Sequence, residues 1–124
     1  MPNIEQINPG DAIPGRQYRP DNVQLFLYNA ALWNAHRIHF DHPYATGVEG
    51  YPGLVVHGPM LATLLCAFAT ELAGQRPRSF AFRSLATLFD DAEIQLHAAP
   101  DGRRLRLWAA RPEGPAAMEA TAAF

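Results

Sequence analysis

The chain contains no lysine, and its ten basic residues are all arginines. This absence excludes a lysine Schiff base and a P-loop lysine as sources of activity. The formal net charge of -2 gives no electrostatic reason to bind nucleic acid, and we expect none as a partner. Since 48 % of the residues are apolar and 18 % are charged, a folded core is feasible. On length alone, we predict a single domain over residues 1–124.

Cysteine is also scarce, since Cys66 stands alone in the sequence. A single thiol excludes an internal disulfide and fits a reducing compartment, so we predict a cytoplasmic location. No cationic segment followed by an apolar one opens the sequence, and no signal peptide is expected. The longest apolar stretch, residues 54–69, is short and is interrupted by His57, Gly58 and Pro59, so we expect no membrane span.

One strong helical pattern is present after this interruption. Pro59 suits the first position of a helix, and Gly74 suits the position just past its end. Between them, leucines and Phe68 recur at helical spacing and form one apolar face. Because the other faces carry few charges, we expect this helix to be surrounded by other structure.

Alternating apolar and polar residues predict four strands after this helix. Two turn sequences, at residues 100–102 and 112–114, join the last three of them. The predicted strands cover residues 79–89, 92–99, 103–110 and 116–124. With a strand before the helix, the sequence predicts an α+β fold in which one long helix packs against an antiparallel sheet of about five strands.

The segment before the helix is less regular. Residues 1–21 predict an irregular start with a short strand near residues 15–19. Residues 23–28 are rich in strand-forming side chains and predict a strand, and residues 29–34 fit one or two helical turns. Residues 35–56 hold several prolines and glycines and predict a loop with short helical turns. Long ordered loops in compact domains tend to be functional.

The candidate functional residues lie around this loop, in Asn34-Ala35-His36-Arg37-Ile38-His39-Phe40-Asp41, then Tyr44-Ala45, then His57-Gly58. His39 can take and return a proton, because unperturbed imidazole titrates near pH 6.5. Asn34 can hold a water molecule without exchanging a proton with it. Gly58 stands where a helix begins, and free N–H groups there favour developing negative charge.

Each of these residues also has a purely structural interpretation. His39 would then only bond to the backbone, Asn34 would cap a helix or shape a turn, and Gly58 would serve only the bend into the helix. A metal site built from the histidines and Asp41 is a further alternative, because these are ligand types for zinc or iron. Residues so close on a loop need not converge, and no distant cysteine or glutamate motif completes such a site, so we expect no metal.

These motifs resemble those of the MaoC-like dehydratases and (R)-specific enoyl-CoA hydratases. That family's motif reads Asp-x-Asn-Pro-(Ile/Leu)-His-x-Asp, followed by a Tyr-Ala or similar pair and by His-Gly before the central helix. On this register His39 lies at the family's catalytic histidine and Asn34 at its catalytic aspartate. Gly58 lies at the glycine whose amide polarises the thioester carbonyl. The Asn-Ala-His-Arg-Ile-His form is similar to the branch with 3-hydroxyacyl-thioester dehydratases and mesaconyl- or itaconyl-CoA hydratases.

The resemblance implies a hot-dog fold, in which an antiparallel sheet wraps around one long central helix. It implies a hydro-lyase that adds water to, or removes it from, the α,β bond of an enoyl or 3-hydroxyacyl thioester of coenzyme A or acyl carrier protein. No cofactor is expected. Contacts with the substrate are expected from Arg37, Asp41, Tyr44 and His57. Asn34 departs from the family pattern, because an amide cannot act as a general base.

A dimer is expected, formed with a second copy or with a related hot-dog subunit, with the two sheets joined and the pocket at their junction. Two other functions fit the same scaffold. A hot-dog thioesterase would use a carboxylate such as Asp41 or Glu49 to hydrolyse the acyl group. A non-catalytic subunit would complete the active site of a partner, and Asn34 in place of aspartate is its main support.

Overall fold

The computed structural model describes residues 13–124, so most of the predicted irregular start lies outside the described residues. Four segments precede the central helix: strand β1 (Arg16–Tyr18), helix α1 (Asn22–Ala31), a short 3-10 helix (Arg37–His39) and helix α2 (His42–Gly47). The central helix α3 follows at Gly58–Ala73. The remaining strands are β2 (Ser79–Ser84), β3 (Ile94–Asp101), β4 (Arg104–Ala110) and β5 (Ala116–Ala123).

The five strands form one antiparallel sheet in the order β1-β3-β4-β5-β2. Alternate residues of the central strands are buried, as period-two patterning requires. Ile94, Leu96, Leu105 and Leu107 are almost fully buried on the face that meets α3. The predicted α+β architecture, with one long helix against a five-stranded antiparallel sheet, is therefore confirmed.

Helix α3 follows from the predicted pattern. Leu61, Leu65, Phe68 and Leu72 are all buried in the core. Gly74 ends the helix in the left-handed region, with φ of 71°, where glycine is favoured because it has no Cβ. This helix packs against one face of the sheet, and its N-terminus lies at the end of the long loop.

The predicted strand at residues 23–28 is wrong, because this segment is part of α1. A side-chain oxygen of Asp21 caps the helix by accepting a hydrogen bond from the Val23 N–H at 2.7 Å. Leu25 and Asn29, four residues apart, are the buried positions of the helix. The apolar side chains that favoured a strand mostly point outward, so their composition was a poor guide to conformation.

The other predicted elements are present with shifted ends. The short strand near residues 15–19 is confirmed as β1, and the loop at 35–56 contains the 3-10 helix and α2. The strand predicted over residues 79–89 ends at Ser84, because the next two residues both donate to the Ala117 carbonyl and the chain leaves the sheet. Among residues 13–124, no helix is long and apolar enough to cross a membrane.

Candidate active site

His39 ends the short 3-10 helix and is 9 % exposed. Its Nδ1 lies 2.8 Å from the carbonyl oxygen of Val55. A carbonyl oxygen can only accept a hydrogen bond, so Nδ1 carries the proton and the neutral ring keeps its lone pair on Nε2. The same loop is held by a second bond, from the Val55 N–H to the Ile38 carbonyl at 2.9 Å. His39 is therefore a neutral imidazole in a fixed tautomer, and Nε2 makes no hydrogen bond with the described residues.

The surroundings of His39 keep it neutral. Burial is the largest influence and lowers its pKa below the ordinary value for imidazole. The hydrogen bond to Val55 acts in the opposite direction, and the nearby His36, whose ring centre is 6.0 Å away, lowers the pKa further. At neutral pH the side chain is thus in the form that can accept a proton.

His57 stacks directly on His39. The two ring centres are 3.7 Å apart and the planes are inclined by 16°. His57 is 3 % exposed and immediately precedes α3. Burial, with a smaller contribution from the charge that His39 can carry, lowers the pKa of His57 to about 4, so this ring is neutral across the physiological range.

Asn29 is the functional candidate that the sequence did not reveal. Its Nδ2 donates to the Asn34 carbonyl, so the other side-chain atom, Oδ1, must be the acceptor. This Oδ1 lies 2.9 Å from Nε2 of His57, which therefore carries the ring proton. Nδ1 of His57 is left as a buried lone pair without a hydrogen-bond partner among the described residues. A correct helix assignment would have been the signal, since Asn29 is four residues from buried Leu25.

Gly58 begins α3 one residue after the stacked ring of His57. No side chain of the described residues caps this helix start, so first-turn N–H groups such as that of Gly58 remain available. A Cβ built on Gly58 would find only the Met118 Cε, at 4.0 Å. Gly58 thus directly follows the residue whose ring stacks on His39, although His39 and Gly58 are far apart in the sequence.

Asn34 lies on the surface at the turn after α1. Its Oδ1 accepts a hydrogen bond from the His36 N–H at 2.9 Å, and its backbone N–H donates to the Asn29 carbonyl at 3.0 Å. The turn-forming role considered from the sequence is therefore observed. The Nδ2 group still has two N–H donors, and its predicted contact with a catalytic water remains a prediction.

Three of the predicted substrate contacts form a cluster of their own. The Arg37 guanidinium binds the Asp41 carboxylate at 2.8 Å and lies 4.2 Å from the centre of the Tyr44 ring. This hydrogen bond is the largest cause of a lowered pKa of Asp41, whose other oxygen caps α2 through the Tyr44 N–H. The Tyr44 hydroxyl donates to Glu49 at 3.0 Å, which raises the pKa of Tyr44. Their roles toward substrate remain predictions, as does that of the buried His57.

A metal centre finds no support in the part of the chain that the structure describes. Among residues 13–124, no three His, Cys, Asp or Glu side chains converge in a way that could hold an ion. His36 and His39 are close, but Nδ1 of His39 is bound to Val55 and that of His36 accepts from the Ile38 N–H. The His39 imidazole, stacked on the residue that precedes α3, remains the candidate for proton transfer.

The fold is the hot-dog fold of the MaoC-like dehydratases. A solved structure described as a MaoC-like dehydratase superposes on 99 % of this chain with a TM-score of 0.80 and 21 % identity, and the match covers 42 % of that chain. One chain of the ChsH1-ChsH2 complex from Mycobacterium tuberculosis superposes on 89 % of this chain, and the match covers 91 % of its own length. Its TM-score is 0.69 and its identity 14 %.

Within that fold, the chain belongs to the hydroxyacyl-thioester dehydratase type 2 family, whose sequence profile matches residues 3–90. It is 50 % identical over 111 residues to the mesaconyl-C(4)-CoA hydratase of Chloroflexus aurantiacus, covering 90 % of this chain. It is 32 % identical over 94 residues to the mitochondrial hydroxyacyl-thioester dehydratase type 2 of Schizosaccharomyces pombe, covering 73 % of this chain. The chain spans only 39 % and 30 % of the lengths of these two relatives.

Proposed function

We propose that this domain is a hydro-lyase that adds water to an α,β-unsaturated acyl thioester, or removes it from the 3-hydroxyacyl thioester. The observation that carries this proposal is the state of His39. Its Nδ1–H is fixed on Val55 and its Nε2 is free, while the neighbouring His57 leads directly into the first amide of α3. A base and an oxyanion donor are the two groups that this reaction needs.

In the hydration direction, Nε2 of His39 takes a proton from water as the water oxygen forms a bond to the β-carbon. The electron pair of the carbon–carbon double bond shifts toward the carbonyl, and the thioester oxygen becomes an enolate oxygen. The Gly58 N–H stabilises that charge. The enolate then collapses, and the α-carbon receives a proton from the His39 imidazolium. The proton count balances within one imidazole, and Asn34 contributes a hydrogen bond to the water rather than a second base.

The assigned groups supply effects of known size. A general base in reach of the reacting proton contributes about 10² to 10⁴ in rate. A backbone donor to a developing oxyanion contributes about 10² to 10³. The second effect needs an open approach to Gly58, and the absence of a side chain there provides it.

We propose a coenzyme A thioester as the substrate, because the relative that is 50 % identical over 111 residues is named as a hydratase of a coenzyme A ester. Purified protein is mixed with crotonyl-CoA and with mesaconyl-CoA, and both the loss of the enoyl thioester and the release of free thiol are followed. We expect loss of the double bond without thiol release. Thiol release without hydration would identify a thioesterase instead.

The His39→Ala variant tests the assigned base directly. We expect kcat to fall by about 10² to 10⁴, because no other described group is placed to take the proton. His42→Ala is the matched control, since His42 is exposed at the start of α2 on the same loop. Equal activity in His39→Ala and wild type would refute the mechanism. Inactivity of wild type that is relieved by a related subunit would support the non-catalytic role.

We further propose that a second hot-dog domain, from another copy or from a related subunit, completes the pocket. Strand β2 lies at the end of the sheet and its outer edge pairs with no other described strand. Its neighbourhood exposes Phe82 and Leu85, and an open cleft of about 610 Å³ that includes Cys66 and Phe80 adjoins it. Unprotected apolar edges of this kind favour association.

The Phe82→Glu variant tests that surface. A charge on the free edge should shift wild-type dimers toward monomers in sedimentation velocity, while Ala81→Glu, at the preceding exposed position of the same strand, adds the same single charge and serves as the control. An unchanged size distribution in Phe82→Glu would place the partner elsewhere.

A single domain over residues 1–124 and a cytoplasmic location complete the proposal. The lone Cys66 supports the cytoplasmic location.

A further inference from the structure

We propose that Asn29 and His57 are positioning residues for His39. The Asn29 amide holds the His57 imidazole in one tautomer and one orientation, and the flat face of His57 in turn fixes the plane of the His39 ring and keeps water from one side of it. The proposal deepens the function above and depends on it for its kinetic readout, but not for its spectroscopic one.

The first step of the argument is that the orientation of Asn29 is determined. The atom facing the Asn34 carbonyl must be the amide nitrogen, because that carbonyl can only accept. The remaining oxygen therefore faces Nε2 of His57 at 2.9 Å. Asn29 is 2 % exposed, so water cannot replace either bond. A backbone carbonyl on one segment thus decides which nitrogen of His57 carries the proton.

The second step is that His57 has no direct role available in proton transfer. Its Nε2–H is bound to Asn29, and its Nδ1 is buried without a partner among the described residues. An unpaired buried acceptor costs about 1 to 3 kcal/mol, and such a cost calls for an explanation. The role of the His57 ring is then to provide a flat surface against His39, and the two ring centres are 3.7 Å apart.

The third step is that the face of His57 is itself supported. Tyr28 meets the His57 ring edge-on, with ring centres 4.7 Å apart. Within the described chain, the other ionisable groups next to the stack are this Tyr28 phenol and His36, whose ring centre is 6.0 Å from that of His39. His39 therefore has a fixed bond at Nδ1, a fixed ring on one face and a free Nε2, which is the arrangement that a directed base requires.

Two variants of His57 separate a positioning role from a chemical one. His57→Phe keeps a flat ring against His39 but has no nitrogen, and His57→Ala removes the ring. We expect His57→Ala to lose between about tenfold and a hundredfold in kcat with little change in KM, and His57→Phe to lose several-fold less than His57→Ala. If His57→Phe is as inactive as His57→Ala, a nitrogen of His57 is needed and the proposal is wrong.

The pH profile of kcat/KM gives a readout that a purely structural role would not move. Its acid limb reports the pKa of His39 in the free enzyme. Burial lowers this pKa, so the limb should lie below about 6.5, the ordinary imidazole value. Opening one face of the ring in His57→Ala should move the limb upward toward that value, whereas His57→Phe should leave it in place. Identical limbs in all three proteins would overturn the proposal.

Asn29→Ala tests the first link, with Asn22→Ala as the matched control on the same helix but at an exposed position. Nitrogen-15 NMR of the imidazole rings at pH 7 should show the Nε2–H tautomer of His57 in wild type and Asn22→Ala. In Asn29→Ala the signals should move toward an average of the two tautomers. Retention of a single Nε2–H tautomer in folded Asn29→Ala would overturn the proposal.

These measurements keep the two proposals distinguishable. If wild-type protein hydrates no enoyl thioester, the proposed function fails, while the NMR comparison of Asn29→Ala with Asn22→Ala, together with the His39 signals of His57→Phe and His57→Ala, still decides the positioning role. If His57→Ala does not fold, His57→Leu takes its place, because leucine fills apolar volume without offering a flat ring.

Discussion

The segment before α3 buries polar side chains and exposes large apolar ones, whereas the chain from α3 onward does the reverse. Among the described residues, the buried polar side chains are Asn29, His39 and His57, all of which precede α3. The same segment carries most of the large exposed apolar side chains: Val23, Phe26, Leu27, Leu32, Trp33, Phe40 and Val48. From Gly58 onward the usual rule holds, with apolar residues inside and only Phe82 and Leu85 as large exposed exceptions.

This difference separates the part of the chain that builds the core from the part that holds the candidate site. Burying amides and imidazoles and exposing aromatic rings both work against the stability of a single chain. The later part, by contrast, obeys the alternation that builds a core. The segment at residues 21–57 therefore departs from the pattern that stabilises a core, and it rests on α3 and the sheet, which follow that pattern.

The largest expected effect after that of His39→Ala tests the boundary between the two parts, at Gly58. Gly58→Pro removes the N–H proposed to hold the oxyanion, and proline is tolerated at the start of a helix. We expect kcat to fall by about two to three orders of magnitude.

Gly58→Ala is the matched control, because it keeps the N–H and its Cβ meets only Met118 Cε at 4.0 Å. Both variants place a Cβ before Pro59, which mildly disfavours the helical conformation, so the cost of that change is shared. Both variants also share the effect of that Cβ on the approach to the amide, so steady-state kinetics should show a larger kcat loss in Gly58→Pro than in Gly58→Ala. Equal kcat values for the two variants would remove Gly58 N–H from the mechanism.

A second test asks whether the buried polar cluster costs stability in acid. Folding lowers the pKa of His57 to about 4, whereas it is near 6.5 in the unfolded chain. Between these values the unfolded state binds more protons, so stability falls as the pH falls from about 6.5 to about 4, by about 3 kcal/mol in total, and is constant above that window. His39 contributes in the same direction.

Urea unfolding at a series of pH values measures this effect. In His57→Phe the group is absent, so we expect most of the decline between pH 6.5 and 4 to disappear. If wild type and His57→Phe lose stability in parallel over this range, the pKa of His57 is not lowered by folding.

Asn34 provides a smaller test at the edge of the site. Asn34→Ala removes both its turn-forming oxygen and its proposed donor to water, and we expect kcat to fall about tenfold, or 1.4 kcal/mol in activation free energy. Asn34→Asp keeps an oxygen for the His36 N–H but has no N–H. Aspartate is the residue that the family motif has at this position, so if Asn34→Asp matches wild type, a carboxylate can replace the proposed amide donor.

Trp33 gives the smallest effect and addresses the exposed apolar side chains. It is 95 % exposed and has φ of 53°, at the position after α1 where glycine is usual. In a single chain, Trp33→Gly should raise the free energy of unfolding by about 0.5 to 1 kcal/mol, because glycine adopts positive φ without a steric penalty. Trp33→Ala should give no such gain. Urea unfolding measures both, and a loss of stability in Trp33→Gly would show that the indole makes favourable contacts.

The sequence predicted the later part of the fold well because one physical signal dominates there. In β3 and β4 alternation matches burial, and α3 has both a proline start and a glycine end. In α1 the signals conflict: Val23, Phe26 and Leu27 have the spacing of a helical face, but that face is turned outward, and their β-prone composition favours a strand although Asp21 caps a helix.

The site was predicted in part for a similar reason. His39, Asn34 and Gly58 belong to recognisable motifs, and the stacking of His39 on His57 brings it to the residue before α3, while their catalytic roles stay predictions. The contact between His57 and Asn29 joins two segments 28 positions apart, and no local pattern reports such a contact. A strand over residues 23–28 gives no reason to expect Asn29 to face inward.

The face-to-face imidazoles also limit how much charge the site can store. Two positive charges about 4 Å apart repel by about 4 kcal/mol even at an effective dielectric constant of 20, and the ring centres here are 3.7 Å apart. The pair can therefore carry one surplus proton and not two. A proton taken from water must leave the two rings before a second proton can be accepted. This limit couples each proton uptake to a proton release within the same turnover.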